Sequence, residues 1–213
     1  MTAIERDRLV DGSPEAVPHT SQRIEEAALQ LFYERGFKAT TMREIALACG
    51  VTPGALYNHF TSKDELLGKL LCDIHQRLAQ ALDEALATAD PDPISQMFAY
   101  CRAHALFHTT FLTEARVANR EIGSLAEEPL ADVVAIRRRA TEQLRTIVTR
   151  GQDEGIFDVH QIEAVCNLIL TMAISIAGWY RPGGELDREA MADLDASTAL
   201  RMVGVGHKRG ATR

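Results

Sequence analysis

Paired cysteines are missing from these 213 residues. Cys49, Cys72, Cys101 and Cys166 stand far apart among apolar neighbours, without the CxxC spacing that a zinc or redox site needs, so the expectation is buried, reduced thiols. Also missing is an apolar run long enough to cross a bilayer: the longest, LILTMAISIAGWY at 168–180, falls short of the roughly 20 residues required. The N-terminus carries acids where a secretory signal needs a basic segment followed by an apolar one. These absences lead to the expectation of a cytoplasmic protein with no membrane partner. Positive charge is in deficit too. A formal net charge of -7 argues against a generic polyanion binder and leaves room for a local basic face.

No stretch alternates apolar and polar residues for long enough to claim a strand, and no internal repeat or low-complexity tract is evident. No nucleophile elbow, phosphate-cradling glycine loop, metal motif or sequence-paired acid and base stands out, so no catalytic residue, cofactor or metal is expected. A helical enzyme is the competing class, and turnover of an acyl thioester is the observation that would favour it.

What the chain does have is helical periodicity. At 46% hydrophobic and 25% charged it can bury a core in one domain, or in a small domain joined to a larger one. Residues 1–20 hold Gly12, Pro14, Pro18 and charges of both signs without periodicity, and read as a flexible arm. From Ser21 to Arg35, Ile24, Ala27, Ala28, Leu31 and Phe32 recur on one helix face, and Gly36 ends the run. Thr41-x-x-Glu44 is a capping box for a second helix up to Cys49. Gly50 suits a tight turn, Thr52 and Pro53 start a third, very short helix, and Ser62-x-x-Glu65 is a second capping box. A long helix is expected over 63–88, then segments at about 94–108, 110–122, 129–154, 159–180 and 187–204.

Helix, glycine turn, short helix is the pattern of a helix-turn-helix, whose second helix lies in the DNA major groove. The stretch AALQLFYERGFKATTMREIALACGVTPGALYNHFTSKDELL, residues 27–67, resembles the TetR family of bacterial transcriptional regulators. The shared residues run from Phe32 to Phe37 and Thr40 to Ala46, then Gly50-Val51, then Tyr57, Phe60, Lys63 and Leu66. The resemblance implies an all-α fold with an N-terminal three-helix DNA-binding domain and a larger helical ligand-binding and dimerisation domain. It divides the chain into the arm at 1–20, a head at 21–66, a body at 67–206 and a mobile tail at 207–213.

The same resemblance implies that Leu56 and Phe60 point inward with Ile45 and Phe32. That would leave Thr52, Pro53, Gly54, Ala55, Tyr57, Asn58 and His59 to a double-stranded operator, with Thr41, Arg43 and Lys63 beside the DNA backbone. Charge agrees with this only locally. Residues 1–62 carry six Lys or Arg against eight Asp or Glu, whereas 36–63 hold Lys38, Arg43 and Lys63 against Glu44 alone. The implied partners are DNA, a second copy of the chain joined through 159–180 and 187–204, and a small effector.

The segment GWYRPGGEL, 178–186, resembles the end of the eighth helix in TetR-type repressors of fatty-acid and steroid breakdown, whose inducers are acyl-coenzyme A thioesters. An acyl-CoA or fatty acid is therefore the effector class expected. The ligand set expected is Arg102, Phe107, His108, Phe111, Trp179 and Arg181, with the acyl chain among Phe107, Phe111 and Trp179 and the polar end near Arg181 or Arg102. Core packing with solvated charges is the alternative reading of the aromatic and basic residues from Phe98 to Arg116. Two further alternatives stay open. His104 and His108 at i,i+4 near Cys101 could hold a metal, and Arg137-Arg138-Arg139 could hold coenzyme A phosphates or simply face water. A sensor of lipophilic cations would instead need acids in an aromatic pocket.

Overall fold

The computed structural model describes residues 20–205, all of whose regular structure is helical. The expected arm, save its last residue, and the expected tail lie outside the described residues. In order the helices are α1 (Thr20–Arg35), α2 (Met42–Ala48), α3 (Pro53–Tyr57), α4 (Lys63–Thr88), α5 (Pro93–Thr110), α6 (Leu112–Glu121), a 3-10 turn (Ile122–Ser124), α7 (Glu127–Asp153), α8 (Ile162–Trp179) and α9 (Arg188–Met202).

Local chemistry accounts for most of these limits. Thr41 Oγ1 accepts from the Glu44 amide at 3.3 Å while the Glu44 carboxylate accepts from the Thr41 amide at 2.8 Å, so both halves of the first capping box form. The second forms by half. Ser62 Oγ accepts from the Glu65 amide, but the Glu65 carboxylate turns to the amide of Thr61 at 2.7 Å and to its hydroxyl at 2.6 Å, because Thr61 offers both donors to one oxygen. The break expected at Thr109-Thr110 falls at Phe111, whose φ of -106 and ψ of 58 leave the helical region, while Thr109 stays in the helix with its hydroxyl turned onto the Leu106 carbonyl.

Two clusters make up most of the core. The first joins α1, α2 and α3 to the first half of α4 through Ile24, Phe32, Ile45, Leu56, Leu67 and Leu71, and reaches Phe107, Val117 and Val133 of the body. The expected boundary at 66/67 therefore falls inside α4, with one apolar cluster running across it. The second cluster joins Leu82 of α4 to Met97, Tyr100, Leu144, Ile169 and the small residues Ala196 and Ala199 of α9, which let α9 lie close against α5. Each large apolar side chain among these contributes about 1.5–3 kcal/mol on burial.

At the end of α7, Gly151 sits beneath the Phe157 ring, so that a Cβ there would stand 2.1 Å from a ring carbon. Gly151→Ala is expected to lower thermal stability by about 1–3 kcal/mol, read as a fall in melting temperature at fixed protein concentration. An unchanged melting curve would mean that the ring moves aside freely.

The cysteines are all free, with Cys49, Cys101 and Cys166 buried and Cys72 half-buried. Burial raises the thiol pKa of Cys72 and Cys101, and that of Cys166 to about 11, which leaves them poor nucleophiles.

α8 differs from expectation. Counted from Ile162 rather than Leu168, it is 18 residues long and apolar enough, by length and composition alone, to cross a membrane. Five of its residues, Cys166, Ile169, Ala173, Ile176 and Ala177, are buried within the chain. Leu168 and Trp179 stay exposed on α8, as does Leu194 on α9.

Candidate functional site: the head and an inner cavity

Buried Leu56 and Phe60 fix the rotation of α3 against Ile45 and Phe32. Thr52 caps the helix by accepting from the Ala55 amide at 3.2 Å, and Pro53 occupies its first position. The opposite face is bare. Tyr57 is 51% exposed, Thr52, Pro53, Asn58 and His59 are exposed, Ala55 is half-buried, and nothing lies within 4 Å of where a Cβ on Gly54 would be. Gly50, at φ +68, makes the turn that sets α3 across α2, with Arg23 donating to the Cys49 carbonyl at 2.5 Å beside it.

On the basic side, Lys38 and Arg43 are exposed. Glu44, the one acid among 36–63, is held below the ordinary carboxylate range by the Thr41 hydroxyl and amide and by Arg35 at 3.0 Å. Those bonds also occupy the Thr41 hydroxyl, which donates to Glu44 at 2.7 Å. Lys63 is likewise engaged: its ammonium donates to the carbonyls of Phe37 at 2.7 Å and Thr40 at 2.8 Å and lies 4.2 Å from the centre of the Phe37 ring. It closes the α1–α2 turn onto α4. Lys63→Ala should therefore lower both the melting temperature and DNA affinity. A loss of affinity with an unchanged melting curve would make Lys63 a phosphate contact alone.

In the body, a cavity of about 240 Å³ lies among α4, α5, α6, α7 and α8. Its walls include three imidazoles, from His75, His104 and His108. His75 Nδ1 is 2.7 Å from the Leu71 carbonyl, and His108 Nδ1 is 2.9 Å from the His104 carbonyl. A carbonyl can only accept, so both Nδ1 atoms carry the proton and each Nε2 keeps a lone pair. The His104 ring stacks on His108 at 4.8 Å, and its Nδ1 is buried with no hydrogen-bond partner. Burial pulls all three pKa values below the ordinary histidine range, Arg137 adds to the effect, and the rings are neutral at pH 7. Arg137, Asn119, Asn167, Thr141 and Thr171 supply further polar groups, Leu78, Ile136, Leu170 and Ile174 supply apolar wall, and no acid lines the space.

The expected ligand residues do not come together. His108 lines the cavity. Phe107, one residue and about 100° away around the helix, is buried in the first core cluster with its ring 4.9 Å from that of Phe111. Arg77 covers Phe111 at 4.3 Å. Arg102, six residues before His108 and about 120° around the helix from it, is taken by Glu189 and, at 2.7 Å, by Asp193 of α9. Trp179 is 55% exposed at the end of α8. Arg181 is exposed and lines an adjoining outer cleft with Tyr33, Arg116 and Arg120. The placing of the acyl chain among Phe107, Phe111 and Trp179 is thus corrected: the three share no wall.

Among the described residues, no group of three or more His, Cys, Asp or Glu side chains could hold a metal ion. Sequence reasoning missed His75, whose one signal is an imidazole set into the apolar stripe of α4 between Leu71 and Leu78.

Taken together, a bare five-residue helix on a buried hairpin and a polar-floored cavity in a helical body define a helix-turn-helix protein with a ligand-sized space. The family described as "Bacterial regulatory proteins, tetR family" matches residues 24–70, and that described as "Tetracyclin repressor-like, C-terminal domain" matches 90–203. The chain belongs to the TetR family of bacterial transcriptional regulators. It is 30% identical over 164 residues to the HTH-type transcriptional repressor KstR2 of Mycobacterium tuberculosis, covering 76% of this chain and 81% of that one.

Among solved structures, a tetR-family regulatory protein from Rhodococcus RHA1 superposes with a TM-score of 0.82 at 30% identity, over 88% of this chain and 98% of its own. AibR, solved with isovaleryl coenzyme A and operator DNA, shares the fold with a TM-score of 0.77 at 24% identity, over 84% of this chain and 97% of its own.

Proposed function

We propose that this chain is a ligand-released repressor, which binds a palindromic operator as a homodimer and lets go when an amphiphilic effector, of the acyl-CoA or fatty-acid class, occupies the inner cavity. In this reading residues 21–66 are the reading head and 67–206 the sensing and dimerising body. The observation that carries it is the bare face of α3, with Tyr57 half-exposed and Gly54 open, presented by the wholly buried Leu56. A helix of five residues touches only a few base pairs, so gene-level specificity calls for two heads on successive grooves. The exposed Leu168, Trp179 and Leu194 give α8 and α9 an apolar face suited to a second copy.

For the effector, support comes from the cavity walls and from the relatives. A solved structure of KstR2 is described as that of a ketosteroid transcriptional regulator. The fold seen in AibR has room for an acyl-CoA, and GWYRPGGEL resembles the acyl-CoA-responsive repressors. A sensor of lipophilic cations would want a carboxylate in the wall, and the cavity has none.

Selection from a random duplex library tests the reading. It should enrich a palindrome bound by two copies, with half-sites about 34–36 Å apart or a multiple of that, and acyl-CoA thioesters should dissociate the complex. Enrichment of no sequence, or a bound monomer, would overturn the repressor reading; release by a metal ion or a lipophilic cation instead would overturn the effector class.

A further inference from the structure

A second, open cleft of about 570 Å³ adjoins the inner cavity and shares two of its lining residues, Asn119 and Ile174. Three guanidinium groups line it, from Arg116 and Arg120 of α6 and Arg181 just beyond α8. In a chain of net charge -7 this is a local concentration of positive charge. Arg120 pairs with Glu121 at 2.8 Å. Arg116 makes bonds to neutral oxygens: the Ala177 carbonyl at 2.6 Å, the Tyr33 hydroxyl at 2.8 Å and the Tyr180 carbonyl at 3.4 Å. Among the described residues no carboxylate forms an ion pair with Arg116 or Arg181.

Two of these arginines also fasten the head to the body. Besides Arg116 on the Tyr33 hydroxyl, Arg120 donates to the Tyr33 carbonyl at 3.2 Å and to the carbonyl of Phe32. Both acceptors lie in the last turns of α1. Glu121, beside them on α6, accepts from the Phe37 amide at 3.3 Å. The end of the head's first helix is thus tied to α6 chiefly by guanidinium bonds to uncharged oxygens.

We propose that this cleft is the seat of a phosphate-bearing headgroup, and that the headgroup releases the head by drawing Arg116 and Arg120 off α1. The inference rests on the amphiphilic effector proposed above. The apolar part of the effector lies in the inner cavity, and its stem passes the shared wall at Asn119 and Ile174. The present bonds join cationic donors to uncharged oxygens. A phosphate adds a full opposite charge and an acceptor geometry matched to the guanidinium fork, so it competes well with the Tyr33 hydroxyl and the α1 carbonyls for the same groups. One set of arginines then both recognises the ligand and registers its arrival.

The test is calorimetric binding of an acyl-CoA series, of free coenzyme A, of adenosine 3′,5′-bisphosphate and of the matching free fatty acids, to wild type and to Arg181→Ala. The expected result is that the substitution weakens the thioester, coenzyme A and the bisphosphate by about 10-fold, the worth of one charged hydrogen bond, and leaves the free acids unchanged. Binding of coenzyme A but not of the bisphosphate would place recognition on the pantetheine arm and overturn the phosphate assignment. Thioester binding indifferent to Arg181→Ala would overturn the cleft while sparing the effector reading. Failure of every thioester to bind wild type would overturn the effector reading and this inference with it. For the release step, Tyr33→Phe removes one acceptor from Arg116 and should lower the thioester concentration needed to free labelled operator by about threefold. A release curve unchanged in Tyr33→Phe would overturn the uncoupling role.

Discussion

Replacing Asp195 by asparagine is expected to raise the melting temperature at pH 8 and to leave it nearly unchanged at pH 4. Asp195 lies on the face of α9 that packs on α5, buried to 2% exposure, with both carboxylate oxygens lacking any hydrogen-bond partner. Burial raises its pKa from 3.8 to about 7, and the carboxyl is close enough to raise the Cys101 thiol in turn. The unfolded chain releases this proton near pH 4 while the folded chain keeps it to about pH 7. Folding stability therefore falls across that window and stays low above it.

The loss is up to about 4 kcal/mol, from roughly three units at 1.36 kcal/mol each, and asparagine, having no charge to bury, avoids it. In a protein of this size that corresponds to about 10 °C. An equal difference between variant and wild type at both pH values would show that Asp195 does not titrate in this range. The cavity histidines act on the other limb. Held neutral by burial, they contribute stability that is complete above their ordinary value of 6.5 and lost as pH falls below it.

Tyr57→Ala is expected to cut operator affinity by about 10- to 100-fold, the 1–3 kcal/mol typical of a lost specific contact, with little change in melting. Its neighbour gives the contrast. Leu56, wholly buried in the head's core, should lose about 2–5 kcal/mol of stability when cut to alanine, and DNA binding with it. Binding by anisotropy and melting by circular dichroism, measured on both variants, separate surface from core. Should Tyr57→Ala unfold the head, or bind operator as wild type does, the assignment of the bare face of α3 fails.

The head was legible because its determinants are local. Thr41 with Glu44, Gly50, and Thr52 with Pro53 each act within a few residues, and the structure forms all three signals as read. The cavity was not legible because no single segment encodes it. His75, Asn119, Arg137 and Asn167 come from four helices, and which of them meet depends on the rotation of each helix against the others. Phe107 and His108 illustrate the difficulty: adjacent in sequence, one lies in the core and the other on the cavity. Side-chain type alone also misled at Arg102, whose charge was read as a ligand contact although α9 supplies two acids to it.

α4 runs unbroken for 26 residues, its first turns in the head's core and its middle, at His75 and Leu78, on the cavity wall. At 1.5 Å per residue it is a stiff rod about 39 Å long. A rod of that length is a lever. Tilting it by about 5° at its far end moves the other by about 3 Å, roughly the spacing of one base pair along the DNA axis. In the dimer proposed above, two heads moving apart in this way would double the mismatch at the operator. A displacement in the body too small to disturb its packing would thereby become one that the double helix cannot follow.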